Sequence, residues 1–191
     1  MSEETTKKSK KRTGYGVRCI AFSAMSIALA TLLSFLKPVE LPLGGSLTIC
    51  SMLFVTLIGY WYGLKAGLLG AVAYGILQLI IEPYVIMPAQ LVVDYILAFG
   101  ALGLSGIFAN KKGGLLIGYW VSVCVRFVFA FLSGMIFFGA YASDYGMSAP
   151  VYSALYNGSY IFSEAILTTV ILAIPPVHKA FKHLKQMANP E

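Results

Sequence analysis

The sequence predicts an all-α membrane protein, a compact bundle of six transmembrane helices whose N and C termini are both cytoplasmic. Of the 191 residues, 58% are hydrophobic and only 12% are charged, whereas a soluble domain carries about 25% charged residues. A globule of this size could not bury so many apolar side chains, so lipid must cover most of them. This composition excludes a soluble enzyme, a disulfide-stapled secreted domain and a disordered chain.

Six apolar segments are long enough to be spans, since a helix rises about 1.5 Å per residue across about 30 Å of hydrocarbon. Prolines, glycines and charged turns separate the segments, among them Pro42, the pair Glu82-Pro83 and the pair Pro175-Pro176. Helices are the only option for such runs, because each backbone polar group must be satisfied within the span. We predict spans at 17–36, 46–62, 64–81, 89–109, 115–138 and 151–174.

The basic residues orient this bundle. With the N terminus inside, 12 of the 14 Lys and Arg residues fall on the cytoplasmic side, only Lys37 falls outside, and Arg126 lies within a span. We therefore predict a disordered basic tail at 1–14, a six-helix substrate-binding membrane domain at 15–178 and a basic cytoplasmic tail at 179–191. Basic clusters beside a membrane are the ordinary topology signal, so we expect contact with membrane lipid and no nucleic-acid partner.

Three ionisable side chains lie within the predicted spans, where such groups are functional candidates. Arg126 and Glu164 fall at the same depth, near mid-membrane, so we expect them to form a structural ion pair; a coupling site for protons or ions is the alternative. Asp94 lies about 8 Å below the outer end of its helix. It has no basic partner at that depth, so we expect it either to take up a proton or to be neutralised by a cation, for which a ligand is the candidate.

Aromatic and amide side chains cluster at the level of Asp94. A carboxylate, an amide and several aromatic faces at one depth are typical of a site for a flat organic cation. The candidate ligand-binding residues are Asp94, Tyr95, Asn157, Tyr152, Phe138, Tyr84 and Gln90. No catalytic motif is present, and His178 and His183 in the tail are expected to be solvated, so we predict neither an enzyme nor a metal site.

Small residues recur at spacings typical of helix packing. Ala24 and Ala28 are four residues apart on the first helix, and glycines recur three or four apart near Gly59 and Gly103. Internal packing explains such patterns in general. The alternative for Ala24 and Ala28 is docking to another membrane subunit.

Four stretches of the chain resemble one known family. They are GLKAGL at 63–68, PAQLVVDY at 88–95, SGMIFFG at 133–139 and YSALYN at 152–157. They resemble the ThiT family, the thiamine-specific substrate-capture (S) subunits of energy-coupling factor (ECF) transporters, and the resemblance runs from about residue 17 to residue 174.

The resemblance implies a multi-pass subunit of the bacterial cell membrane that binds thiamine near its outer face and carries no cofactor. It implies that this subunit works together with a transmembrane coupling protein and two cytoplasmic ATPases, and that the ATPases hydrolyse the ATP. The family's acidic ligand, Glu in many relatives, falls on Asp94. Its tyrosines fall on Tyr84, Tyr95 and Tyr152, its amide on Asn157, its stacking residue on Phe138 and its docking alanines on Ala24 and Ala28.

Two departures from the family leave a related ligand open, such as a pyrimidine precursor of thiamine. A histidine of the family's pocket falls on Ala130, and a tryptophan of its first outer loop has no counterpart around Gly44 and Gly45. We expect that loop, from Lys37 to Ser46, to close over the ligand.

Three other classes of protein are alternatives. A stand-alone secondary transporter would use Arg126 and Glu164 for ion coupling, and a structural subunit would bind no ligand. A membrane-embedded enzyme would use Asp94 and Glu164 as acid and base, but helical rise puts them about 12–14 Å apart in depth.

Overall fold

The computed structural model describes residues 16–189, and within this range nearly all regular structure is helical. The helices are α1 (Val17–Ser34), α2 (Ser51–Tyr62), α3 (Leu64–Ile81), α4 (Pro88–Phe108), α5 (Gly114–Phe137), α6 (Ala149–Ala173) and α7 (Pro175–Ala188). A small hairpin of β1 (Val39–Glu40) and antiparallel β2 (Ser46–Leu47) joins α1 to α2. A 3₁₀ turn (Gly139–Tyr145) joins α5 to α6. The predicted tail at 1–14 lies outside the described residues.

The prediction of an all-α membrane bundle is confirmed. Among the described residues, α1, α3, α4 and α5 are each long and apolar enough to cross a membrane alone. Helix α6 is 25 residues long, but it is less apolar because its buried face carries polar side chains. These five helices begin and end within two residues of the predicted bounds.

The second predicted span, 46–62, is wrong in its first five residues. Residues Ser46 and Leu47 form β2, and α2 begins only at Ser51, after Cys50 with a left-handed backbone (φ 59°). Twelve residues rise only about 18 Å, so α2 is not a complete span. Thr48 and Cys50 are each 7% exposed, and irregular backbone at this depth is tolerated because it is packed inside the protein.

Glu164 explains where α2 begins. Its carboxylate accepts hydrogen bonds from the backbone N–H of Met52 at 2.9 Å, from Ser51 Oγ at 3.1 Å and from Thr48 Oγ1 at 2.7 Å. That N–H is one of the donors that the first turn of any helix leaves unpaired. A side chain from α6, only 4% exposed, therefore supplies the acceptor that lets α2 start inside the bundle.

The ion pair expected between Arg126 and Glu164 is not formed. The salt bridges found within residues 16–189 lie elsewhere, at Lys37. The guanidinium of Arg126 lies over the ring of Phe99, 4.2 Å from its centroid, in a cation–π contact. Helical rise predicts that the two charged groups lie at the same depth in the membrane. Glu164 is nevertheless bonded to the donors at the start of α2 and not to Arg126.

The backbones of α2, α3 and α4 are in contact towards the end of the bundle predicted to be cytoplasmic. A Cβ atom at Gly67 would lie 2.6 Å from the carbonyl oxygen of Gly103, and one at Gly59 would lie 2.8 Å from the backbone nitrogen of Gly106. Only glycine permits such close approach. The glycine spacings therefore serve internal packing, as predicted.

Helix α7 lies across the end of the bundle, bent by 90° from α6. The new helix starts at Pro175, a residue suited to a first helical turn. Val177, Phe181 and Leu184 pack against the core, and Ala188 is 2% exposed. The predicted boundary between residues 178 and 179 falls within α7, so residues beyond it belong to the folded bundle.

We expect Glu164→Ala to lower the thermal unfolding temperature of the purified, ligand-free protein by about 5 °C or more. Each buried donor left without an acceptor costs about 1–3 kcal/mol, and 1 kcal/mol shifts unfolding of a chain this size by about 2–4 °C. The two hydroxyls can partly re-pair, whereas the N–H of Met52 cannot. Intrinsic fluorescence during heating in detergent measures the change.

The matched control is Glu40→Ala, which removes an outer carboxylate that is 69% exposed. Exposed ion pairs contribute little, so this variant should unfold within about 1–2 °C of wild type. Equal unfolding temperatures for the two variants would contradict the assigned role of Glu164.

Candidate functional site

A cavity of about 180 Å³ lies in the half of the bundle predicted to face outward, between the β1–β2 hairpin, α3, α4, α5 and α6. The seven residues predicted to bind a ligand all line it: Tyr84, Gln90, Asp94, Tyr95, Phe138, Tyr152 and Asn157. Arg126, Ala130 and Glu164 line it too. The depth of each residue, counted along its own helix, therefore predicts that residues far apart in the chain lie in one cavity.

Asp94 lies in a seven-residue π-helical stretch, Val92–Ala98, within α4. Such wide turns are rare and are frequent at functional sites. Helix α3 accommodates the stretch because Gly75 packs directly against the carbonyl oxygen of Tyr95, where a Cβ atom would overlap it. One carboxylate oxygen of Asp94, Oδ2, accepts a hydrogen bond from Gln90 Nε2 at 2.8 Å.

The Asp94 carboxylate forms no salt bridge within residues 16–189. Ser133 lies next to it, is 1% exposed, and has a hydroxyl within reach of the carboxylate. Charges and unpaired polar groups are expensive at membrane depth. Together the carboxylate and the hydroxyl form a polar patch suited to a cation or a hydrogen-bond donor.

Gln90 positions this carboxylate rather than facing the cavity freely. Its Nε2 donates to Asp94 Oδ2 and, at 2.9 Å, to the carbonyl oxygen of Tyr84, while its Oε1 accepts from the backbone N–H of Ile86 at 2.8 Å. Both N–H groups are therefore used within the protein, and the side chain is 2% exposed. The sequence predicts Gln90 as a ligand contact; in the structure it lines the cavity while both of its N–H groups are bonded within the protein, and the ligand contact stays a prediction.

Tyr95 is also committed to the protein at its hydroxyl. The hydroxyl donates to the carbonyl oxygen of Glu82 at 3.0 Å and accepts from the backbone N–H of Tyr84 at 2.9 Å. The turn between α3 and α4 is thereby tied down. The ring of Tyr95, stacked on Phe99 with centroids 6.2 Å apart, remains as cavity wall.

Asn157 is held in one orientation by neighbours on α6. Its Nδ2 donates to Ser153 at 3.1 Å (carbonyl oxygen) and 3.2 Å (Oγ), and its Oδ1 accepts from Tyr160 OH at 2.9 Å. Gly134 of α5 makes room for it, since a Cβ atom there would lie 2.8 Å from Nδ2. Both amide N–H groups are directed at Ser153, so one oxygen lone pair is left for another molecule.

Aromatic rings form two walls of the cavity. Tyr84 and Phe138 stack with centroids 6.0 Å apart and an interplanar angle of 25°. On α6, Tyr152 stacks against Tyr145 at 5.3 Å and against Tyr156 at 5.8 Å. The walls offer flat, electron-rich faces that attract planar rings and cations.

The β1–β2 hairpin lies over this cavity and is fastened to α6. The hydroxyl of Tyr156 accepts from the backbone N–H of Gly45 at 2.9 Å and donates to the carbonyl oxygen of Pro42. Lys37, just before β1, forms an ion pair with Glu82 at the end of α3. The spacing of four residues along α6 indicates that Tyr152, Tyr156 and Tyr160 share a face, but the sequence gives no sign that Tyr156 holds a loop.

The remaining predicted residues lie away from the cavity. Ala24 and Ala28 are exposed on α1, whose buried residues are on another face. His178 and His183 are exposed on α7. No group of three or more His, Cys, Asp or Glu residues able to hold a metal ion is found in residues 16–189.

The chain is similar to known membrane transporters. Residues 20–184 match the family model described as thiamine transporter protein (Thia_YuaJ). The thiamine transporter ThiT of Bacillus subtilis (strain 168) is 32% identical over 174 residues, covering 83% of this chain and 89% of that protein. The thiamine transporter ThiT of Lacticaseibacillus paracasei is 29% identical over 118 residues, covering 53% of this chain and 58% of that protein.

The fold is also that of a solved structure of ThiT from Listeria monocytogenes. The two chains share 24% identity with a TM-score of 0.67, and the match covers 85% of this chain and 96% of that chain. The predicted resemblance is thus confirmed by a family model over most of the chain and by a relative matched over most of its length. This chain therefore belongs to the thiamine transporter protein family, whose members are multi-pass bacterial membrane transporters and not enzymes.

Proposed function

We propose that this chain is the substrate-capture subunit of an ECF-type importer and that it binds thiamine, from the extracellular side, in the cavity at Asp94. One observation carries the proposal: a carboxylate inside a membrane bundle faces an aromatic-lined cavity and forms no salt bridge within residues 16–189. The relatives named thiamine transporters support the same ligand. The chain needs no cofactor, because partner subunits use the ATP.

Charge supports a cationic ligand. Three carboxylates line the cavity against two cations, which leaves one formal negative charge; these charged residues are Glu82, Asp94, Glu164, Lys37 and Arg126. Thiamine carries one permanent positive charge on its thiazolium ring. Attraction between opposite charges is stronger in a protein interior than in water, so the cavity favours this cation over neutral vitamins.

The shape and hydrogen-bonding groups of the cavity support two linked flat rings. In our proposal the thiazolium lies near Asp94 and against the Tyr84–Phe138 stack, where cation–π attraction adds to the charge. The remaining lone pair of Asn157 Oδ1 accepts a hydrogen bond from the amino group of the aminopyrimidine. Tyr152 supplies a further face, and Gln90 keeps the carboxylate in position.

A thiamine precursor or another related vitamin is the second candidate ligand. Ala130 favours it, because this residue lines the cavity as a methyl group where the ThiT resemblance implies a histidine. A neutral aminopyrimidine would use Asn157 without needing Asp94. The two ligands are therefore separable by how much each depends on the carboxylate.

The first helix supports the proposed assembly with a transmembrane coupling protein and two cytoplasmic ATPases. Within α1 only Ser26, Ala30 and Ser34 are buried, so most of its surface is free to contact lipid or another subunit. Ala24 and Ala28 leave a shallow groove on that surface, where another helix can approach closely. The stand-alone secondary transporter, which would use Arg126 and Glu164 for ion coupling, stays the alternative, and it would transport thiamine when expressed without ATPase partners.

Asp94→Asn should weaken thiamine binding at least about tenfold, which is about 1.4 kcal/mol. The amide has nearly the same shape and can still accept from Gln90, so the loss reports on charge rather than on folding. Titration of purified protein, followed by quenching of aromatic fluorescence, measures the affinity. Asp94→Glu should bind well, because it keeps the carboxylate.

The control for this series is Asp144→Asn, an exposed carboxylate of the outer turn, which should bind as wild type does. Riboflavin and biotin should not bind to any variant. Normal thiamine binding by Asp94→Asn would refute the ligand role of Asp94, and tighter binding of the neutral pyrimidine than of thiamine would replace the proposed ligand.

Tyr156→Phe should speed the dissociation of thiamine by about three- to thirtyfold. The ring and its stacking remain, while two hydrogen bonds to the hairpin are lost, which together contribute about 0.7–2 kcal/mol to holding it closed. Stopped-flow displacement measures the rate. Tyr145→Phe is the matched control, since no hydrogen bond of its hydroxyl is found in the described range and its side chain is 58% exposed; equal rates for both variants would show that the hairpin does not gate release.

Ala24→Trp combined with Ala28→Trp should abolish thiamine uptake by cells and leave thiamine binding intact. Two indoles fill the shallow groove and prevent close approach of a partner helix. The control pair, Ile166→Trp with Val170→Trp, has the same spacing on an exposed face of α6 and should transport normally. Normal uptake by the α1 variant would exclude this face as the docking surface.

A further inference from the structure

Charged residues within 16–189 are separated between the two ends of the bundle. Seven of the nine Lys and Arg residues in this range lie at the end predicted to be cytoplasmic: Arg18, Lys65, Lys111, Lys112, Lys179, Lys182 and Lys185. The five acidic residues of the same range lie in the cavity or at the outer end: Glu40, Glu82, Asp94, Asp144 and Glu164. Within the described chain, the cytoplasmic end is therefore cationic without local carboxylates.

Helix α7 presents part of this charge parallel to the membrane. Because α6 is a predicted span, a 90° bend directs this 14-residue helix roughly parallel to the membrane plane. Phe181 contacts Phe54 edge to face with centroids 6.2 Å apart, and Tyr62 OH donates to the carbonyl oxygen of Ala188 at 3.1 Å. These contacts fix which face of α7 points away from the bundle.

The three lysines of α7 differ in what they contact. Lys185 turns inward, donates to the carbonyl oxygen of Ala109 and lies 4.0 Å from the centroid of the Tyr60 ring. Lys179 and Lys182 are exposed and form no salt bridge within residues 16–189. Two flexible ammonium groups thus extend from the outer face of a helix that is itself held in place.

We propose that Lys179 and Lys182 bind the headgroup phosphates of anionic phospholipids in the cytoplasmic leaflet. A helix lying at the interface directs lysines to the level of lipid phosphates, and each basic residue near an anionic leaflet adds appreciable affinity. Exposed apolar side chains at the two ends of this helix, Ile174 (46% exposed) just before α7 and Met187 (50% exposed) near its end, provide contacts for acyl chains. An acidic partner protein would not need these apolar side chains.

The test is titration of the full-length protein in detergent with phosphatidylglycerol, read by native mass spectrometry as bound lipid per protein. Lys179→Gln with Lys182→Gln should weaken the first phosphatidylglycerol by about tenfold or more, since each lysine contributes about 1 kcal/mol near an anionic surface. Lys179→Arg with Lys182→Arg should bind as wild type does. Phosphatidylcholine should show no difference between any of these proteins.

The matched control is Lys111→Gln with Lys112→Gln, which removes the same charge from the α4–α5 turn at the same end. It should change phosphatidylglycerol affinity less than about twofold, and thiamine binding should confirm that each variant is folded. An equal loss of phosphatidylglycerol affinity in both double variants would show that the lipid responds to the total positive charge at this end of the bundle. That result would overturn the assignment to α7. Competition by soluble glycerol phosphate would overturn a lipid site, and unchanged lipid binding with failed assembly of the importer would assign the face to a protein partner.

Discussion

A buried carboxylate determines where the cavity can exist. Because Glu164 supplies an acceptor to the N–H of Met52, α2 can begin halfway through the bundle instead of at its outer surface. The space above α2 is then occupied by a thin hairpin rather than by further helical turns. A helix over the whole of 46–62 would fill part of the volume that the cavity now occupies, so the cavity depends on this one interaction.

The polar groups of the cavity fall into two kinds. Gln90 and the hydroxyl of Tyr95 are used entirely for bonds within the protein, and Asn157 is partly used. The bond from Gln90 holds the Asp94 carboxylate, so its orientation is set within the protein. Such preorganisation strengthens binding because little side-chain freedom is lost when the ligand enters.

The sequence predicts most of the spans and the residues that line the cavity. The physical reasons for that success also explain which features it does not predict. Long apolar runs can only be helices in lipid, and helical rise converts residue number into depth. Depth does not give direction around a helix, so Arg126 and Glu164 are predicted as partners although Arg126 lies on Phe99. The start of α2 depends on a side chain more than 100 residues away, and the π-helical stretch at Asp94 depends on contact with Gly75, so neither leaves a local signal.

The packing also allows the cavity to open more easily towards the outer side than towards the inner side of the bundle. Opening it outward requires breaking the two bonds of Tyr156 and the ion pair of Lys37. Opening it inward through a fixed bundle would require separating α2, α3 and α4, whose backbones touch at Gly67 and Gly103, and would expose unpaired polar groups. Under the proposed function, movement of the whole subunit within the membrane costs less than such an opening. That movement needs a partner to drive it, and the bare face of α1 at Ala24 is where a partner could attach without disturbing the cavity.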